Sequence, residues 1–343
     1  MTFEPLRTDR LLLRPMRAAD AEPLAARRSD PDVARYQNWT APYPIERART
    51  MVDEIVAMDG PTDGEWWMLT IADPADAAVL GDLVVHLTSQ GRTAEIGYSL
   101  ARDAWSAGYA VEAATELVRY LFDVVGVTRV EAMLHPDNPA SAMVLERIGM
   151  RFEGHTRSSF WLDDENSDDW LYGMLRADWE AWQDRPRHRP DSVELVDVTA
   201  DNLRATTQLS THKSQERFVA PVTQSLVEAL VPPVENGVTV DPWFRAVAAD
   251  GELAGFVMLA RSQPGAQEPW LWRLLVDRMH QRRGIGSRII DLVADQCREW
   301  GDETLLTSWR PGKGSPEPMY LARGFVPTGE IDDGEVVARL ALR

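Results

Sequence analysis

One pattern of strand, turn and helix signals occurs twice in this chain, and any fold must accommodate both copies. An apolar run ends at Leu100, Trp105 follows five residues later, and Gly108-Tyr109-Ala110 opens a helical pattern. A second run ends at Val276, Gln281 follows five residues later, and Gly284-Ile285-Gly286 opens another. Gly108 precedes Gly149 by 41 residues, and Gly284 precedes Gly324 by 40. Whole units that share order and spacing point to a duplicated layout. The length of 343 residues agrees, since it suits two cores better than one.

Residues 183–192, Gln-Asp-Arg-Pro-Arg-His-Arg-Pro-Asp-Ser, are polar and carry two prolines, which predicts a linker. The expected domains are 1–182 and 193–343. In the first, Leu11-Leu12-Leu13 reads as a strand, and helical patterns follow Ala18 and Ile45. Strands are predicted at 66–72, 79–88, 93–100 and 129–134, with helices over Tyr109–Phe122 and from Asn138 to Arg147. The first of these helices places Val111, Ala114, Leu117, Val118 and Leu121 on one face. The second domain repeats the order. Strands fall at 193–198, 244–249, 252–262, 269–276 and 304–309, and helices over 200–209, 284–299 and up to Arg323. Strands alternating with helices predict an α/β (α+β) architecture.

Composition narrows the function. The formal charge is −18, and both halves share its sign. Residues 1–190 hold 32 acids against 20 bases, and residues 191–343 hold 22 against 16. No basic patch suggests a nucleic-acid partner. The acidity either steers cationic substrates inward or serves solubility. No apolar run approaches the length of a membrane span. A single cysteine, Cys297, excludes an internal disulfide and suits a cytoplasmic protein. The six histidines show no metal-ligand spacing, so no metal is expected.

The segment from Val276 to Gly286 is a strand end, a turn and a helix start. Glycines there let backbone approach a ligand closely, and N–H groups at a helix start bind phosphate oxygens. Arg282 and Arg283 are expected to add charge at the phosphates. Taken alone, Gly-x-Gly is equally explained as an ordinary turn. It is not a Rossmann fingerprint, because Ile289 occupies the third glycine position.

Gln281-x-x-Gly284-x-Gly286, with Tyr320-Leu321-Ala322-Arg323-Gly324-Phe325 downstream, resembles the GNAT superfamily of N-acetyltransferases. Gln215–Pro221, Leu271–Leu274 and Thr328-Gly329-Glu330 are similar to its bacterial diamine and polyamine acetyltransferase-like members. The first half resembles the ribosomal-protein N-terminal acetyltransferase branch through Thr8–Arg14, Glu95-Ile96-Gly97-Tyr98, Trp105–Ala110, His135–Ser141 and Arg147–Met150. Ser106 replaces a glycine common in that branch, and serves there provided its φ is negative.

The resemblance implies two tandem GNAT folds, each a mixed, largely antiparallel twisted sheet flanked by helices. It implies acetyl-CoA as cofactor, with Leu100, Trp105, Gly108, Ala110 and Asn138 binding it in the first domain. Val276, Gln281, Arg282, Arg283, Gly284 and Gly286 are the counterparts in the second. It also implies direct transfer to a primary amine, with an oxyanion held by a backbone N–H near Val276 or Leu100. Tyr320 is the implied acid of the second domain, or else a packing partner of Phe325. Leu145 occupies its place in the first domain, where Ser141 is the substitute donor or simply supports its helix. Glu95 and Glu268 are candidate bases, with ordinary solvated carboxylates as the alternative. Asp163-Asp164-Glu165 with Asp168 and Asp169 form an acidic surface hairpin, and Trp270 and Trp272 offer ring faces to an amine. The expected acceptor is a cationic small-molecule or peptide amine, and the expected state a monomer or homodimer. The alternatives are that one domain, the first above all, lacks catalysis, or that the chain is an acyl-CoA-binding regulatory module.

Overall fold

The computed structural model describes residues 2–235, 238–261 and 268–342. The expected strand 252–262 is described as far as Arg261, and Ser262 lies outside the described residues. The chain divides into two compact units, Met1–Asp184 and Arg185–Arg343. A helix, Arg176–Asp184, closes the first unit and carries the first two residues of the expected linker. Strand Val193–Val196 follows in the second unit.

The sheet of the first unit has eight strands. From one edge to the other they are Leu6–Arg7, Leu12–Pro15, Trp66–Ala72, Val79–Thr88, Thr93–Leu100, Arg129–Leu134, Glu165–Leu175 and Arg151–Leu162. All neighbours are antiparallel except Thr93–Leu100 against Arg129–Leu134. The seven-stranded sheet of the second unit runs Val326–Asp332, Glu335–Ala341, Thr304–Trp309, Trp270–Val276, Glu252–Arg261, Asp241–Ala249 and Val193–Val196. Among the described residues its one parallel pair is Trp270–Val276 with Thr304–Trp309. Both are mixed, largely antiparallel sheets flanked by helices.

Periodicity explains the helices that matter for the sites. In Ile285–Glu299 the buried residues Ile285, Ile289, Ile290, Val293, Ala294 and Cys297 recur at three- to four-residue intervals, which lays one apolar stripe on the sheet. Tyr109–Tyr120 does the same through Ala113, Ala114, Leu117 and Val118. Its expected extension to Phe122 is not α-helical. Leu121–Val125 is a π-type turn in which the N–H groups of Gly126 and Val127 both reach the Leu121 carbonyl, at 2.9 and 3.1 Å. Leu121 and Phe122 are both buried at this turn, so the apolar face of the helix continues through it.

In each unit the parallel pair is short. Pairing covers Thr93–Glu95 against Arg129–Glu131, and Trp270–Leu271 against Leu306–Thr307. It goes no further, so each central strand parts from its neighbour before reaching Leu100 or Val276. In the second unit Trp272 is an extra residue between Leu271 and Arg273 opposite Leu259 and Met258, a bulge that bends the strand. A glycine faces each strand end: Gly81 pairs with Leu100, and Gly255 pairs with Val276. A Cβ would lie 2.3 Å from the Ser99 oxygen at Gly81 and 2.5 Å from the Leu275 oxygen at Gly255. Glycine is required at both places.

Candidate active sites

The two loops are built alike. The Trp105 indole Nε1 donates to the Leu100 carbonyl at 3.0 Å, and Gln281 Nε2 donates to the Val276 carbonyl at 3.1 Å. Each side chain reaches back five residues and ties the loop to its strand end, which accounts for the repeated spacing. The next residue is left-handed in both, Ser106 at φ 63° and Arg282 at φ 66°. The condition of a negative φ at Ser106 is therefore not met. Arg282 adopts the same conformation in the other loop, at a cost of roughly 1–2 kcal/mol. Gly108 (φ 84°) and Gly284 (φ 79°) then provide the second left-handed position and start helices with no side-chain cap. Successive left-handed turns aim backbone N–H groups into one concavity, and an uncapped helix start leaves its N–H groups for a ligand.

In the second unit, the loop borders a cavity of about 990 Å³. Val276, Gln281, Arg282, Gly284 and Gly286 line it together with Tyr320, Trp270 and Trp272. The two arginines part company. Arg282 faces this space, whereas Arg283 is buried and occupied: its Nε donates to the His188 carbonyl at 2.8 Å, and its other nitrogens meet His280 Nδ1 at 2.8 Å and Asp250 at 3.3 Å. Arg283 anchors the loop and does not present its charge at the cavity.

Tyr320 packs on Trp309 (5.6 Å, stacked) and against the edge of Phe325 (5.4 Å), and it also lines the cavity. Burial pushes its hydroxyl up to about 12, against a hydrogen bond from Thr307 that favours the ionised form. Thr307 in turn lies 3.3 Å from the Leu271 carbonyl. The hydroxyl stays protonated near neutrality, as an acid must.

Glu268 is not brought to this cavity. It lies just before strand Trp270–Val276, pairs with Arg339 at 2.9 Å through both oxygens, and accepts from Thr304 Oγ1 at 2.5 Å. Hydrogen bonding to Arg339 holds its carboxyl below the usual range. Its pairing with an arginine 71 residues away leaves no local pattern from which it could be expected.

In the first unit, Glu95 sits at the last parallel pair, opposite Glu131. It lines a cavity of about 1420 Å³ with Tyr98, Trp66 and His135. Desolvation raises its pKa above the ordinary glutamate value, opposed by His86 at 3.9 Å and assisted by Glu131 and Asp169. Ser141 is held from two sides. Its N–H donates to Asn138 Oδ1 at 3.1 Å, so Asn138 caps helix Pro139–Ile148, and its Oγ lies 2.9 Å from the Tyr98 hydroxyl. Burial raises the Tyr98 pKa further still. Leu145 is buried. Asp168 and Asp169 are taken up within their hairpin, by His155 and Ser158 and by Ser159 respectively.

Sequence reasoning missed two groups. Arg10, in the Thr8–Arg14 motif, donates to the Ala107 carbonyl at 2.9 Å and to Glu112 at 2.7 Å, so it ties the first loop and the helix behind it to the start of the chain. Gln215 exchanges hydrogen bonds with Gln281 at 2.7 and 3.2 Å, and joins the 213–221 segment to the second loop. Arg10 was visible as a motif residue without a role; Gln215 carried no signal for this pairing.

Residues 10–151 match an acetyltransferase (GNAT) domain model, and residues 215–325 match the acetyltransferase (GNAT) family model. The uncharacterized N-acetyltransferase p20 of Bacillus licheniformis is 32% identical over 179 residues, which are 52% of this chain and 99% of that protein. The ribosomal protein uS5-alanine N-acetyltransferase of Escherichia coli is 25% identical over 118 residues, 34% of this chain and 61% of that one. A solved acetyltransferase (GNAT family) from Bacillus anthracis is 27% identical with a TM-score of 0.46, over 50% of this chain and 98% of that one. This chain belongs to the GNAT family of N-acetyltransferases and carries two GNAT domains in tandem. No described helix is long and apolar enough to cross a membrane.

Proposed function

We propose that both units, with domains at 1–182 and 193–343 joined by 183–192, transfer an acetyl group from acetyl-CoA directly to an amine in the cytoplasm. The observation that carries this reading is the shared cavity of the second unit. Uncapped helix N–H groups, Arg282 and the Tyr320 hydroxyl all border one space. The helix start suits a pyrophosphate, and Arg282 adds the countercharge that Arg283 does not. Bound acetyl-CoA would supply the activated acyl group as a thioester. Tyr320 protonates the departing thiolate, while Trp270 and Trp272 offer ring faces to a cationic acceptor.

In the first unit the loop positions Gly108 and Ala110 serve the same role with Arg10 in support. Tyr98 and Ser141 form the proton-donating pair in place of Leu145, and Glu95 accepts the proton of the acceptor ammonium. The likeness to the ribosomal-protein enzyme of Escherichia coli, named for an alanine acceptor, favours a peptide or amino-acid amine here. The acceptor of the second unit belongs with the small cationic amines.

Glu95 gives this reading a pH signature. A general base works deprotonated, so first-unit turnover falls as pH drops through a pKa raised above the ordinary 4.5. Glu95→Gln is expected to lower turnover and remove that acidic limb, measured as kcat/KM against pH. An unchanged limb assigns the base elsewhere. The function itself is tested by thiol release across a panel of amines, with one unit silenced at a time. Acetyl-CoA binding without thiol release for any amine would favour a regulatory binding module.

A further inference from the structure

Arg28 is a buried cation without a counterion, and it faces the acceptor cavity of the first unit. It lies at the end of helix Ala21–Arg28 and is 6% exposed. Its guanidinium carbon stands 4.2 Å from the Trp39 ring centroid and 5.1 Å from that of Tyr43. The guanidinium's only hydrogen bond among the described residues is from Nη1 to the Tyr43 hydroxyl, long at 3.3 Å. Its Nε is buried with no partner, and no carboxylate of the described residues lies within 4.0 Å of it. The contrast with its neighbour is sharp: Arg27, equally buried, is ion-paired to Asp82 and donates to Ser99 Oγ at 2.9 Å.

A buried charge with no counterion is costly, and two ring faces with a helix C-terminus offset only part of that cost. Arg28 lines the same cavity as Glu95 and Tyr98. That cavity therefore presents a carboxylate base and, separately, an arginine that lacks an anion. We infer that Arg28 is a specificity residue, and that the first unit takes an amine acceptor carrying an anionic oxygen group. The amine meets Glu95, and the anion meets Arg28. A carboxylate or a phosphate supplies the required chemistry. This assignment rests on the reading of the first unit as a transferase, and deepens it by naming the acceptor class.

The test compares matched acceptors in the full chain, with the second unit silenced by Gly286→Asp. Alanylalanine is paired with its C-terminal amide, and phosphoethanolamine with ethanolamine. A charge-assisted contact predicts a KM lower by about tenfold or more for the anionic member of at least one pair. The pair that shows it distinguishes carboxylate from phosphate. Arg28→Met is expected to abolish the preference by raising KM for the anion-bearing acceptor alone, with KM for the member that lacks the anion retained. Arg28→Lys, which keeps the charge, restores part of it and carries the test if the methionine variant fails to fold. No preference in the parent, or an equal loss for both members of each pair, overturns the inference. Should the first unit turn over none of these acceptors, calorimetric titration still decides. Alanylalanine or phosphoethanolamine binding that Arg28→Met removes supports the anion site, and binding that is absent or unaffected refutes it.

Discussion

Tyr320→Phe lowers turnover by the second unit roughly 10²- to 10⁴-fold, the range of a lost general acid, while acetyl-CoA affinity is retained. The substitution is close to a pure deletion of the hydroxyl. Stacking on Trp309 at 5.6 Å and the edge contact to Phe325 at 5.4 Å involve the ring, which phenylalanine keeps. The hydrogen bond with Thr307 is lost, at a stability cost on the order of 1 kcal/mol. Folding and cofactor binding therefore survive, and kcat alone reports the loss. The measurement is thiol release at saturating acetyl-CoA with the first unit silenced by Gly108→Asp. Unchanged turnover would leave Tyr320 as a packing residue only. Because its pKa lies near 12, Tyr320 adds no fall in rate across the neutral range.

Gly286→Asp weakens acetyl-CoA binding to the second unit at least about 100-fold, nearly 3 kcal/mol at 1.4 kcal/mol per tenfold. The cause is charge rather than bulk. A Cβ at this position would come 2.8 Å from Met319 Sδ, the far end of a flexible side chain that can yield. The first unit already carries Ala110 at the matching position. A carboxylate in the first helical turn competes with phosphate for the same N–H groups and repels it. That carboxylate also favours the helix itself, by about 0.3–1 kcal/mol. Thermal stability is expected to hold or rise while binding fails, so the loss cannot be mistaken for unfolding. Gly286→Ala should bind acetyl-CoA nearly as the parent does. If the alanine variant failed as badly as the aspartate variant, the steric reading would replace the electrostatic one.

Central strands and loop positions were the legible part. Strands 66–72, 79–88, 93–100 and 304–309 fall at their expected bounds because apolar side chains are packed on them from the flanking helices. The edge hairpins Arg151–Leu162 with Glu165–Leu175, and Val326–Asp332 with Glu335–Ala341, were not predicted in full. Their pairing is backbone hydrogen bonding with largely exposed side chains, and it leaves little apolar signal. Within the sites, the five-residue spacing was visible before its cause, which is a side chain bonded to a strand-end carbonyl. Arg282 and Arg283 were indistinguishable as neighbours. A left-handed turn at Arg282 sends one to the cavity and the other inward to His188 and Asp250. Glu95 and Glu268 looked alike as strand carboxylates. Only long-range pairing with Arg339 separates a desolvated carboxyl from an occupied ion-pair partner. Gly81 and Gly255 could be read only once the register opposed them to Leu100 and Val276.

Both loops are proposed as acetyl-CoA sites. Isothermal titration of the full chain with acetyl-CoA tests this most directly. Two binding equivalents are predicted, one removed by Gly286→Asp and the other by Gly108→Asp. No binding, or a single equivalent that Gly108→Asp leaves untouched, would contradict it.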